Sequence, residues 1–187
     1  PTGIRLKFCH AALLGTTALV CLSVVEPVFA EDFNITGNQT TTNGGEGPIN
    51  GNDSVTLNGT ITTTTGYGIS TTGGSNKISI KTGGVKTTGT LAHGIYNKGK
   101  SNETTIEAGG SIETTGLGAE GVFNQGRGNT TNVAGSITTS GDKDTSVDDV
   151  NAPSDGIRNT GGNTTNVSGT VTTTGVGARG IYNAGGS

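Results

Sequence analysis

The chain repeats one pattern of apolar, polar and glycine positions about every 25 residues. Three copies are unbroken and read KTTGTLAHGIYNKG, ETTGLGAEGVFNQG and TTTGVGARGIYNAG. An aliphatic residue opens each copy, and the openers are Ile61, Val85, Ile112, Ile137 and Val171. The last interval is longer because about ten extra residues lie between Gly141 and Asp155. A fixed period of this length is the signature of a repeat architecture in which every copy is one structural unit.

Each copy contains three short β-patterned pieces, I-x-T-T, G-[IV]-x-N and N-x-x-x-[IV], separated by Gly or Asn. No segment shows the 3.6-residue apolar period of an amphipathic helix. Three strands joined by three turns make one triangular turn of a coil, and successive turns stack about 4.8 Å apart. The pattern therefore predicts an all-β fold, a right-handed parallel β-helix with three short strands per turn and about five turns, incomplete at its C-terminal end.

The stacking predicts which residues meet inside the coil. Two apolar columns are expected in addition to the openers, one of Ile95, Val122, Ile157 and Ile181, the other of Ile80, Ile106, Val133 and Val167. Asparagines recur at one corner, where stacked side-chain amides can hydrogen-bond from turn to turn; they are Asn97, Asn124, Asn159 and Asn183. Glycine is expected at corners that need positive φ. On the outer surface, Lys86 and Glu113 are expected to form a weak pair on adjacent turns.

The first thirty residues have a different composition from the rest of the chain. Arg5 and Lys7 precede an apolar run from Ala11 to Val25, and the segment ends at Ala30. This order is typical of a secretory signal peptide. A transmembrane anchor is the alternative, but the run is shorter than the ~20 apolar residues that a span needs. We predict a signal peptide at 1–30, an N-terminal cap at 31–58 that lacks the repeat, and β-helix repeats at 59–187.

Composition limits the kind of core and the kind of partner. The 187 residues include 35 Gly, 35 Thr and 17 Asn, with only 4% aromatics and no Trp. Such a chain cannot fill a thick core, whereas a narrow coil needs only small aliphatic residues. The formal net charge of −3 provides no basic stripe, so nucleic acid is not expected as a partner. Both cysteines, Cys9 and Cys21, lie in the predicted signal peptide, which leaves the repeats without a disulfide.

Two segments look like ligand-binding motifs. GLGAEG and GVGARG match the dinucleotide fingerprint, but strand patterns flank both, and the fingerprint needs a helix after it. We interpret both as turns and expect no cofactor. The insertion contains four carboxylates in eight residues, which makes it a weak candidate for a calcium loop, although the glycine and glutamate of such a loop are missing; they are Asp142, Asp144, Asp148 and Asp149.

One outward column next to the Asn corner is aromatic and cationic. Its members are Tyr96, Phe123, Arg158 and Tyr182. These side chains could stack on sugar rings or on a partner protein, or they could cover one another along the coil. His93 has no cysteine and no second histidine in the repeats, so a metal site and a histidine-assisted nucleophile both lack a partner residue.

The signal peptide, the cysteine-free repeats and the pattern GSI-x-TTG-x-GA-x-GI-x-N-x-G-GNTT-x-V-x-G resemble the passenger domains of Gram-negative autotransporters, the type V secreted surface proteins. The resemblance covers 1–187 in layout and 59–187 in repeat pattern. It implies export through Sec, a β-helical passenger, and an outer-membrane translocation barrel at the C-terminal end. It also implies a place at the cell surface, in the outer membrane or in the medium.

Three functions are compatible with these features. The first is a non-enzymatic surface passenger, an adhesin or structural stalk that contacts a protein or glycan of host or sibling cells. The second is a polysaccharide-active β-helix enzyme, which requires carboxylates clustered on one face. The third is an ice- or mineral-binding Thr array, which requires an unbroken Thr face; Lys86 and Glu113 interrupt that column. We expect the first, with no enzymatic activity.

Overall fold

The computed structural model describes residues 32–41, 45–146 and 153–185. Within these ranges the chain forms parallel strands and no helix. In chain order the strands are β1 (Asp32–Ile35), β2 (Gln39–Thr41), β3 (Glu46–Ile49), β4 (Ser54–Leu57), β5 (Thr60–Thr63), β6 (Ile69–Thr71), β7 (Lys77–Thr87), β8 (Ile95–Asn97), β9 (Glu103–Thr114), β10 (Val122–Asn124), β11 (Thr130–Val133), β12 (Ser136–Thr139), β13 (Ile157–Asn159), β14 (Thr164–Val167), β15 (Thr170–Thr173) and β16 (Ile181–Asn183).

The strands stack in three parallel columns that wind into a solenoid. The first column is β1-β4-β7-β9-β11-β14, the second is β2-β5-β7-β9-β12-β15, and the third is β3-β6-β8-β10-β13-β16. We call one member of each column, taken together, a layer. The described residues form six layers joined by about five turns. The prediction of an all-β parallel β-helix of about five turns is confirmed.

The expected triangle of three separate strands holds in the outer layers but not in the middle ones. In the third and fourth layers the first two strands run together as β7 and β9, which contain 11 and 12 residues. The pairing of β7 with β9 shifts register between Ile80 and Thr82, close to where the other layers have a turn between their first two strands. The first two columns therefore form one broad sheet, and the third column forms a separate narrow sheet.

The coil begins earlier than the repeat pattern indicates. The segment 31–58 was expected to be a cap, yet it contains β1 to β4 in the same columns as the repeats. Phe33 pairs with Val55 and Ile35 with Leu57, so the first layer continues the register of the second. The sequence of this layer departs from the repeat, although Ile35 and Ile49 are buried in the same core. The residues of the predicted signal peptide, 1–30, lie outside the described ranges.

The predicted apolar columns form the core. Ile61, Val85, Ile112 and Ile137 are at most 1% exposed, and Ile95, Val122 and Ile157 are fully buried. In the last described layer, Val167 and Ile181 are 41% and 43% exposed because no layer covers them there.

Outside the core, Lys86 Nζ lies 2.8 Å from Glu113 Oε2, as the alternation predicts. No helix in the described part of the chain has the length and hydropathy to span a membrane.

The predicted Asn ladder lies inside the coil. Asn97 Nδ2 donates to Asn124 Oδ1, and Asn124 Nδ2 donates to Asn159 Oδ1, both at 2.8 Å. Each amide also donates to a threonine hydroxyl of the first column, as Asn124 does to Thr131 at 3.0 Å. Asn97, Asn124 and Asn159 are at most 1% exposed. Because an unpaired buried amide costs about 1–3 kcal/mol, the ladder fixes the register of the third column.

A second Asn ladder precedes the first column, and the sequence interpretation missed it. Its members are Asn76, Asn102, Asn129 and Asn163, and each side-chain oxygen accepts a backbone N–H of the layer before it. The distance from Asn102 N to Asn129 Oδ1 is 2.8 Å. The signal was present, since every N-x-x-x-[IV] piece begins with one of these residues.

Corner glycines are required for two different reasons, of which only one was expected. Gly118 has φ of 63°, the left-handed conformation that favours glycine. Gly94 is needed for space instead, because a Cβ there would lie 2.4 Å from Ile112 Cγ2 and 2.6 Å from the Gly121 oxygen. The glycine before every third-column strand from β3 to β13 thus lets one layer lie against an aliphatic side chain of the next.

Candidate functional site

The outer stripe, which consists of Tyr96, Phe123, Arg158 and Tyr182, occupies the outward middle position of β8, β10, β13 and β16. Parallel register places each member directly over the next. Ser70 holds the same position in β6, one layer earlier. The structure therefore brings all four predicted partner-binding residues together on one face of the narrow sheet.

The members of the outer stripe cover one another. The rings of Tyr96 and Phe123 are stacked, with centroids 5.2 Å apart and planes 25° apart. The Arg158 Cζ lies 5.3 Å from the Phe123 centroid and 5.9 Å from that of Tyr182. All four side chains are half-buried. Because ring faces are turned along the coil axis, the stripe presents mainly ring edges and polar ends to the outside.

A second set of functional side chains lies beside the outer stripe, at the corner before each third-column strand. This corner column consists of Tyr67, His93, Glu120, Asp155 and Arg179. Each member immediately precedes a glycine of the G-[IV]-x-N piece. The sequence interpretation treated His93 as lacking a partner residue, because nothing in the local sequence shows that His93 and Glu120, 27 residues apart, lie in contact.

His93 is held among aromatic rings. Its ring is stacked on that of Tyr67, with centroids 5.3 Å and planes 4° apart, and it meets Phe123 edge-on at 5.2 Å. His93 is 7% exposed. Burial raises the pKa of the neighbouring Tyr96 phenol, and the nearby Tyr67 and Glu120 add to this effect. The Tyr96 hydroxyl donates to Gln125 Oε1 at 2.5 Å.

Glu120 is a buried carboxylate between two basic side chains. It is 1% exposed. Its Oε1 accepts from Arg158 Nη1 at 3.1 Å, and its Oε2 lies 2.5 Å from His93 Nδ1. The Glu120 backbone N–H donates to the same Nδ1 at 3.1 Å.

Asp155 and Arg179 form an ion pair in the corner column through two side-chain hydrogen bonds. Asp155 is fully buried, and Arg179 Nε and Nη2 donate to its two oxygens at 3.0 and 2.8 Å. The Arg179 backbone N–H adds a third bond at 2.9 Å. These hydrogen bonds raise the pKa of Arg179 above its ordinary value. The Arg179 Cζ also lies 3.4 Å from the Tyr182 ring centroid, so the pair joins the corner column to the outer stripe.

The described carboxylates of the acidic insertion accept hydrogen bonds from other groups of the chain. Asp142 Oδ1 accepts the Val176 N–H at 2.7 Å, which attaches the insertion to the last layer. Asp144 Oδ1 accepts the Ser146 N–H and hydroxyl, and these bonds lower the pKa of Asp144. Asp148 and Asp149 lie outside the described residues. Among the described ranges no three His, Cys, Asp or Glu side chains are grouped as metal ligands.

The two glycine-rich segments are turns between strands. Ala119 N–H donates to Gly116 O at 3.2 Å, and Ala178 N–H donates to Gly175 O at 3.1 Å. Gly118 and Gly177 have φ of 63° and 78°. A strand follows each turn at once, so neither has the helix N-terminus that holds a pyrophosphate.

Comparison of the chain with protein-family models, with curated proteins and with solved structures found no match.

Proposed function

We propose that this chain is an exported cell-surface passenger of the autotransporter type, acting as an adhesin or a structural stalk that contacts host or sibling cells. The class rests on the sequence resemblance. The structural observation that supports it is the outer stripe, which lies with the corner column along one side of a rod of parallel layers. A rod extends by adding layers, and a lateral surface of aromatic and charged groups suits contact with another protein or a glycan.

The outer stripe and the corner column together form the contact surface in this proposal. Ion pairs inside the surface neutralise Arg158 and Arg179, so binding relies on ring edges, hydroxyl groups and the exposed part of Arg179, which is 42% of its side chain. Aromatic and arginine side chains are enriched at binding interfaces. Export through Sec and an outer-membrane barrel as translocation partner belong to the same proposal.

Cell binding tests the proposal directly. Purified full chain is incubated with host cells and with sibling cells, and bound protein is measured by flow cytometry. Phe123→Ser and Tyr96→Ser introduce the residue that Ser70 already supplies in this column. An adhesin that uses the outer stripe loses binding in both variants.

The matched control changes an exposed pair on another column. Lys86→Thr with Glu113→Thr introduces the residue found at Thr62, Thr138 and Thr172. This variant is expected to bind like the original chain. If the stripe variants bind as well as the original chain, the outer stripe is not the contact surface. If the original chain does not bind cells, the adhesin function is wrong and only the structural stalk remains as the proposal.

A further inference from the structure

Asn58 and Gly59 form the corner between β4 and β5 in the second layer. Asn58 is exposed, and its Nδ2 reaches only Asn34 Oδ1, at 3.4 Å. The chain has two other Asn–Gly pairs, at Asn50 and at Asn43, and Asn43 lies outside the described ranges. An Asn–Gly pair is chemically labile because glycine has no side chain to hinder its own backbone nitrogen from reaching the asparagine amide carbon.

The reactivity of this corner depends on a free backbone N–H. In the described ranges the Gly59 N–H has no hydrogen-bond acceptor. Its counterparts in later layers are bonded, since Gly135 N–H donates to Ile106 O at 3.0 Å and Gly169 N–H donates to Val133 O at 2.9 Å. A bonded N–H must leave its acceptor before its nitrogen can react, whereas the nitrogen of Gly59 is available in the folded chain.

We propose that Asn58 is a site of spontaneous deamidation and isoaspartate formation. The Gly59 nitrogen attacks Asn58 Cγ, so that the N–Cγ bond forms and the Cγ–Nδ2 bond breaks. Nδ2 leaves as ammonia and takes the proton that Gly59 nitrogen loses. Water then adds to one carbonyl of the resulting five-membered imide and opens it to aspartate or isoaspartate. No oxidant or reductant is needed.

The product disturbs a closely packed part of the coil. Isoaspartate inserts a methylene into the main chain between Asn58 and Gly59. The Gly59 oxygen accepts the Gly84 N–H at 3.0 Å, and a Cβ on Gly83 would lie only 2.1 Å from that oxygen. Because the corners of successive layers lie this close, the longer main chain displaces Gly59 and weakens its bond to Gly84. Modification therefore loosens the first two layers from the third.

Peptide mapping of aged protein tests the proposal. Purified full chain is incubated at mildly alkaline pH, digested, and analysed by mass spectrometry and by isoaspartate-specific methyl transfer. We expect conversion at Asn58, a gain of one negative charge, and faster hydrogen exchange at Gly84. The exposed residues Asn34 and Asn166, which are followed by Ile35 and Val167 instead of glycine, are internal controls that should keep their amides.

Two variants separate the effect of the fold from that of the dipeptide. Asn58→Ser, the residue found at the counterpart Ser168, should abolish the charge change at this corner. Ala134→Asn creates the same dipeptide before Gly135, whose N–H is bonded. In the folded chain this site should deamidate about tenfold more slowly than Asn58, and in urea the two should react alike. Equal rates in the folded chain, or no conversion at Asn58, would overturn the proposal.

Discussion

Asn124 donates its side-chain amide to the oxygen of Asn159 at 2.8 Å, and both residues are buried inside the coil. The same amide donates to Thr131. The third, fourth and fifth layers are thus joined by polar contacts that are buried from water. The narrow core is stabilised by stacked aliphatic residues from all three columns and, in the third column, by this ladder as well.

Replacing Asn124 with Ala should destabilise the chain by about 3 kcal/mol, because it removes the acceptor of Asn97 and the donor to Asn159 in a buried setting. Urea unfolding followed by circular dichroism measures the change. Asn166→Ala, which removes an exposed amide bonded to Asn132 at 2.9 Å, is the control and should cost less than about 1 kcal/mol. Equal losses of stability in the two variants would show that the buried hydrogen bonds of the ladder stabilise the chain no more than the exposed one does.

Gly94→Ala should be among the most harmful single substitutions in the coil. Its Cβ would lie 2.4 Å from Ile112 Cγ2, so the layers must move apart, and overpacking of this kind costs about 1–3 kcal/mol or more. Gly162→Ala, whose Cβ would meet no atom within 4 Å, is the control and should change stability by less than about 1 kcal/mol. Thermal melts compare the two; a melt of Gly94→Ala like that of the original chain would contradict the close packing.

Asp155→Ala should cost about 2–3 kcal/mol, because it removes a buried carboxylate that accepts three hydrogen bonds from Arg179. Glu113→Thr removes an exposed partner of Lys86 and should cost less than about 1 kcal/mol. Both are measured by urea unfolding at neutral pH. Comparable losses in the two variants would mean that burial does not strengthen the ion pair in the corner column.

Stability should fall at alkaline pH partly because of Tyr96. Its pKa is raised above the usual 10.0 by burial, so the folded chain binds the phenolic proton more tightly than the unfolded chain does. That contribution is fully present below about pH 10 and is lost as the pH rises through the higher folded pKa. In Tyr96→Phe, spectrophotometric titration should lack the phenol with the raised pKa, and alkaline unfolding should lack the loss of stability that its ionisation causes. Identical alkaline curves for variant and original would refute the assignment.

The repeat period was sufficient to predict the core, because identical positions in consecutive copies must meet when copies stack. Ile61, Val85 and Ile112 and the Asn ladder lie where the pattern places them. The earlier start of the coil at Asp32 was missed because the first layer lacks the repeat letters. The joining of strands in β7 and β9 was missed because Gly residues that predict a turn lie within a continuous strand.

The sequence by itself determined the parallel stacking and the composition of each column, since a period of about 25 residues leaves only one way for like residues to meet. Only the tertiary structure decided which unlike residues pair across layers. His93 meets Glu120, and Asp155 meets Arg179, at separations of 27 and 24 residues. These contacts depend on how far each corner side chain reaches along the coil axis, and that reach depends on the backbone path of the corners rather than on the repeat.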